Sequence, residues 1–116
     1  MKAIIIDDEK RARHLLSNLI TEHCPSIEEI NEASDLKSGV DLIKTVLPDI
    51  VFLDIEMPNQ SGLDVLEYFP SQIDFKIIFV TAYNQYAIEA FKLSAVDYLL
   101  KPVDITELKE AVAKAK

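Results

Sequence analysis

Glycine is scarce. Gly39 and Gly62 are the only two in 116 residues, so a glycine-rich phosphate loop or dinucleotide fingerprint is excluded. One cysteine, Cys24, excludes an internal disulfide and fits a reducing compartment. Bases are also few: 12 Lys and Arg stand against 20 Asp and Glu, for a formal net charge of -8. A chain this acidic does not grip nucleic acid or an anionic membrane by itself, because both contacts need a basic patch. It suits a protein that meets a cation or a basic partner. No apolar run approaches the roughly 20 residues that cross a bilayer. The opening MKAIIIDDE reaches Asp7 and Asp8 too early to hold the apolar core and cleavage site of a signal peptide. A cytoplasmic location without membrane contact is expected.

The remaining composition is that of one globular domain, with 49% hydrophobic and 28% charged residues. Apolar runs alternate with helical patterns along the whole chain. Lys2–Ile6 reads as a first strand, followed by a helix in which Ala12, Leu15, Leu16, Leu19, Ile20 and His23 recur at helical spacing. Pro25 ends it. A weaker strand is expected across Ile27–Ala33. Ser34 or Asp35 then caps a helix with Leu36, Val40, Ile43 and Val46 or Leu47 on its stripe. Pro48 closes it, and Ile50–Leu53 forms the third strand.

A turn-rich loop, Pro58-Asn59-Gln60-Ser61-Gly62, precedes a short helix from Leu63 to Phe69, stopped by Pro70. Lys76–Val80 is the fourth strand, with a helix from Gln85 to Leu93 after it. Asp97–Leu100 is the fifth strand. The last helix carries Ile105, Leu108, Val112 and Ala115 on one face. Strands one, three and four are nearly continuous apolar runs, as in parallel strands covered on both faces. The second is more polar and belongs at an edge. Five such units predict a doubly wound α/β domain with a five-stranded parallel sheet, flavodoxin-like order 2-1-3-4-5 and five flanking helices.

Polar residues interrupt this pattern at the strand ends. Asp7 and Asp8 follow strand one, Asp54 ends strand three, Thr81 ends strand four and Lys101 follows strand five. A parallel sheet puts these ends on one edge, and strands one and three are neighbours in the predicted order. Asp7, Asp8 and Asp54 therefore meet at the topological switch point, where open α/β sheets bind ligands. Three adjacent carboxylates repel, and a hard divalent cation resolves the conflict. Mg²⁺ suits best, because it accepts one or two carboxylates and keeps several waters. With a lysine and a hydroxyl beside a nucleophilic carboxylate, the set matches phosphoryl transfer.

Asp7-Asp8, Asp54 with Pro58 and Gly62, Thr81-Ala82 and Lys101-Pro102 occur in this order, each at or just past a strand end. On these motifs the chain resembles a bacterial two-component response-regulator receiver domain over essentially its whole length. The resemblance implies that Asp54 is the phosphoacceptor, Asp8 the direct Mg²⁺ ligand and Asp7 an acid acting through metal-bound water. The Glu56 backbone carbonyl is implied as a further metal ligand. Thr81 and the Ala82 backbone N–H would hydrogen-bond the phosphoryl group, and Lys101 would pair with it across a cis Lys101–Pro102 bond. Tyr98 takes the place of the aromatic switch residue, moving inward as Thr81 is drawn to the phosphoryl group. Glu56 and Tyr83 would flank the water that ends the phosphorylated state, and slow self-dephosphorylation is expected.

FVTAYNQYAIEAF (residues 79–91) and DYLLKP (residues 97–102) narrow the resemblance to receivers of LytTR-type regulators. A sensor histidine kinase is then the implied phosphodonor, and a homodimer is a plausible product. DNA would be reached only through a C-terminal output domain, which these 116 residues do not contain. A truncated receiver is expected, with a natural stand-alone receiver as the alternative. Either way the chain is expected to be a switch and not an enzyme.

Plainer readings stand beside these. Asp7-Asp8 could be an acidic helix cap, Thr81 an ordinary β-branched strand residue, Lys101 a surface lysine and Tyr98 a core residue. His14 and His23 lack ligand-spaced partners and read as surface residues. Tyr83, Tyr86 and Phe91 read mostly as core, with an exposed partner surface on the fourth helix as the alternative for some of them. Two other functions remain open: an interaction module that is never phosphorylated, and a small Mg²⁺-dependent phosphatase built on Asp54-Ile55-Glu56. The second does not account for Asp7-Asp8.

Overall fold

The computed structural model describes residues 1–69 and 73–116, so the helix stop assigned to Pro70 lies outside the described residues. β1 (Lys2–Ile6), β2 (Glu29–Ala33), β3 (Ile50–Leu53), β4 (Lys76–Thr81) and β5 (Asp97–Leu100) pair in parallel. The order is β2-β1-β3-β4-β5, the flavodoxin-like arrangement expected from the sequence. α1 (Lys10–His23), α2 (Leu36–Val46), α3 (Ala87–Lys92), α4 (Ile105–Lys114) and a 3₁₀ helix at Gly62–Tyr68 cover it.

The pleat sends alternate residues to opposite faces. Ala3, Ile5, Ile50, Phe52, Ile78, Val80 and Leu99 pack under α1 and α4, beside Leu16, Ile20, Leu108 and Val112. Ile4, Ile6, Val51, Leu53, Ile77 and Phe79 pack on the other face with Leu36, Val40, Ile43, Val65 and Ala90. Full burial of one such side chain contributes roughly 1.5–3 kcal/mol. Two cores share one sheet, so the strand ends are held from both sides.

Several boundaries differ from expectation. β2 starts at Glu29, not Ile27, and β4 reaches Thr81. The fourth helical segment is only six residues, Ala87–Lys92. The segment from Gly62 is 3₁₀, and Gly62 is pinned: its N–H donates to Ile55 O at 2.7 Å. A Cβ on Gly62 would lie 2.1 Å from the Asp54 carbonyl oxygen. The preceding loop folds back as a ladder of Glu56–Met57 with Gln60–Ser61, turned at Asn59 with φ 64°. The cap of α2 agrees with expectation: of the two candidates it is Asp35, accepting from Ser38 N–H at 2.7 Å.

Two stripe residues, Leu15 and Ile105, face solvent, as does Phe91. Leu15 lies one position off the Leu16–Ile20 row, Ile105 opens α4 at the strand-end edge, and Phe91 sits on the outer side of α3; all three are exposed. The core reading therefore fails for Phe91, and also for Tyr83, which is exposed; Tyr86 is partly buried.

Candidate functional site

The register of the sheet builds the site. Ile6 pairs with Leu53 in the ladder, so the residues that follow, Asp7 and Asp54, leave the sheet side by side. Asp54 N–H donates to Ile6 O at 2.9 Å and Asp7 N–H to Ala33 O at 3.1 Å, fixing both main chains. One carboxylate oxygen each from Asp7, Asp8 and Asp54 lies within 4.8 Å of the others. Asp7 and Asp54 are buried and Asp8 opens to solvent.

Lys101 reaches this cluster from the end of β5. Its Nζ donates to Asp7 Oδ2 at 2.7 Å and to Asp54 Oδ2 at 3.2 Å. The surface-lysine reading therefore fails. The helix-cap reading of Asp7-Asp8 fails as well: α1 begins at Lys10, its cap position is Glu9, and no side chain caps it. Asp7 Oδ1 instead accepts from Glu9 N–H at 2.9 Å, which turns Oδ2 towards Lys101. Asp54 Oδ1 accepts from Ile55 N–H at 2.8 Å. The Lys101–Pro102 peptide is cis, as the resemblance implies.

The charges are unbalanced, with three carboxylates facing one ammonium. Burial raises the Asp54 pKa above the ordinary aspartate value, and the Asp7 charge adds to it; Lys101 and the Thr81 hydroxyl pull the other way without cancelling it. Burial presses the Lys101 ammonium towards losing its proton. The Asp7 hydrogen bond and the Asp54 and Asp7 charges outweigh burial, and the Lys101 pKa lies above the ordinary lysine value. Among the described residues, Asp8 makes no hydrogen bond or ion pair. An all-oxygen set with one uncommitted carboxylate is the donor chemistry of a hard divalent cation, so the residues fit Mg²⁺.

Thr81 is fully buried at the end of β4, and its Oγ accepts from Tyr83 N–H at 3.4 Å. Ala82 follows, exposed. Tyr98 is partly buried against Phe79, with ring centroids 6.4 Å apart, and its hydroxyl donates to the Tyr83 carbonyl. The ring is thus tied through its hydroxyl to the loop after β4. Burial raises its pKa.

The Glu56 side chain does not join the acidic cluster. Tyr86 Oη donates to Glu56 Oε2 at 2.9 Å. That hydrogen bond raises the Tyr86 pKa above the ordinary tyrosine value. Sequence reasoning missed Tyr86, and the only available signal was its place in the aromatic run after Thr81. His14 is exposed, and His23 lies near Glu22 at 3.7 Å, away from the site.

A family model described as "Response regulator receiver domain" matches residues 3–113. An uncharacterised response regulatory protein of Vibrio cholerae is 44% identical over 114 residues, covering 98% of this chain and 48% of the relative. The transcriptional regulatory protein BtsR of Escherichia coli is 38% identical over 116 residues, covering 100% of this chain and 48% of BtsR. The chain thus spans about half the length of the curated relatives it matches. Among solved structures, the response regulator TrrA of Thermotoga maritima, in complex with Mg²⁺ and BeF, is 34% identical with a TM-score of 0.85. That match covers 99% of this chain and 98% of TrrA.

Proposed function

The chain belongs to the response regulator receiver domain family, and from that premise we propose that Asp54 accepts a phosphoryl group from a sensor histidine kinase in a Mg²⁺-dependent reaction. The observation that carries this reading is the pairing of Lys101 Nζ with Asp7 and Asp54, at 2.7 and 3.2 Å, beside an uncommitted Asp8. Such domains are signalling domains rather than enzymes, and the matched relatives carry the names of regulatory proteins. That weighs against the phosphatase alternative.

An Asp54 carboxylate oxygen attacks phosphorus, a P–O bond forms, and the P–N bond to the donor imidazole breaks with its electron pair returning to the ring nitrogen. Lys101, already within reach of Asp54, offsets charge on the phosphoryl oxygens. Thr81 Oγ and the Ala82 N–H hold two of those oxygens. Asp8, Asp54 and the Glu56 carbonyl would hold Mg²⁺, with Asp7 acting through its water, and the bound ion would neutralise further phosphoryl charge. Phosphorylation then draws Thr81 inward and favours the inward Tyr98, a population shift biased by local charge.

The readout surface is α3, β5 and α4, where Ile88, Phe91, Leu100 and Ile105 are exposed. Self-pairing through this face would support a homodimer. A LytTR-type DNA-binding output is the finer assignment; it is supported by the likeness to BtsR and by relatives about twice this length. Cytoplasmic placement is consistent with this role. Asp54→Asn should abolish phosphoryl incorporation from acetyl phosphate with Mg²⁺ present. Incorporation retained at full yield would refute the assignment.

A further inference from the structure

Glu56 is exposed and lies two residues from the acceptor, at most about 7 Å along the chain. A free carboxylate at that distance can orient a water on an acyl phosphate and take its proton. The Glu56 carboxylate is not free. Tyr86, 30 residues away at the N-terminal boundary of α3, donates its hydroxyl to Oε2 at 2.9 Å. The Tyr86 ring is itself seated. It is partly buried among the residues of the second core and meets Tyr83 edge-on at 6.5 Å. Tyr83 in turn supplies the carbonyl that receives the Tyr98 hydroxyl.

We propose that Tyr86 is a positioning residue that holds the Glu56 carboxylate away from the water attacking phospho-Asp54, and so lengthens the phosphorylated state. The proposal rests on Asp54 being the phosphoacceptor. In the restrained reaction, water oxygen attacks phosphorus, the bond from phosphorus to the Asp54 oxygen breaks, and its electron pair returns to the carboxylate. Inorganic phosphate leaves, and the water proton passes to solvent. With Glu56 released, that proton is taken by its carboxylate, and the step is faster. The clamp joins the segment after β3 to the start of α3, so a partner that displaces α3 would release Glu56 and shorten the signal.

The test uses four proteins: the parent chain, Tyr86→Phe, Glu56→Gln and the double variant. Each is loaded with acetyl phosphate and Mg²⁺ and freed of donor, and the loss of the phosphoryl adduct is followed by intact mass. Phenylalanine keeps the ring and removes only the hydroxyl, and a thermal midpoint confirms folding. Tyr86→Phe should shorten the half-life by about three- to tenfold, a fraction of what a well-placed general base supplies. Glu56→Gln should return the double variant to a half-life no shorter than that of the parent; a merely structural effect of losing the hydroxyl would survive Glu56→Gln. An unchanged half-life in Tyr86→Phe, or a double variant as fast as Tyr86→Phe, overturns the inference while leaving the phosphoacceptor reading intact. No adduct on the parent chain overturns both.

Discussion

Asp54 is held in a costly state. Its neighbours are acids, its side chain is buried, and its pKa is raised above the ordinary aspartate value. A carboxyl whose folded pKa is raised binds more protons in the folded than in the unfolded state between the two values. Stability therefore falls as pH rises through that window, the reverse of a salt-bridged carboxylate. Asp54→Asn removes this cost. Without divalent cations at neutral pH, the variant should be more stable by about 1 kcal/mol, and the advantage should fade in acid. Thermal midpoints measured across pH check this; a less stable variant at neutral pH would contradict it. The gathering of Asp7 and Lys101 beside Asp54 was legible from their strand-end positions. The Tyr86–Glu56 bond was not, because a contact between residues 30 apart leaves no trace in local periodicity.

At the scale of elements, the strands were the most legible part. Apolar runs with polar residues at their ends mark β1, β3, β4 and β5 to within a residue. Helix limits were read less well, since they depend on tertiary contacts. α3 is shorter than expected at both ends, with Tyr86 and Leu93 as its caps and Ser94 at φ 62° just beyond. The 3₁₀ helix starts at Gly62, whose close approach to the Asp54 carbonyl only the folded chain reveals. That approach yields a prediction. Gly62→Ala places a methyl group against backbone, which no rotamer relieves, and should cost about 2 kcal/mol. It should also slow phosphoryl uptake by displacing Asp54. Denaturant melts and loading rates measure both effects, and a neutral substitution would show the contact to be slack.

Across the whole molecule, one sheet with a core on each face delivers four strand ends to a single edge. The acidic cluster gathers carboxylate repulsion there that a bound cation would relieve. Mg²⁺ should therefore stabilise the chain, by about 2.7 kcal/mol at a hundred times its dissociation constant. Asp8→Asn should remove most of that gain in a thermal melt with and without chelator. An equal Mg²⁺ effect in Asp8→Asn would place the ion elsewhere.

The central claim is that Asp54 carries the phosphoryl group. The most direct test is to load the chain with acetyl phosphate and Mg²⁺, quench with borohydride, and map the peptides by mass. Borohydride reduces an aspartyl phosphate to homoserine, which marks the position. Homoserine at position 54, dependent on Mg²⁺, is the predicted result. Homoserine at Asp7, Asp8 or any other carboxylate, with residue 54 unchanged, would contradict the account.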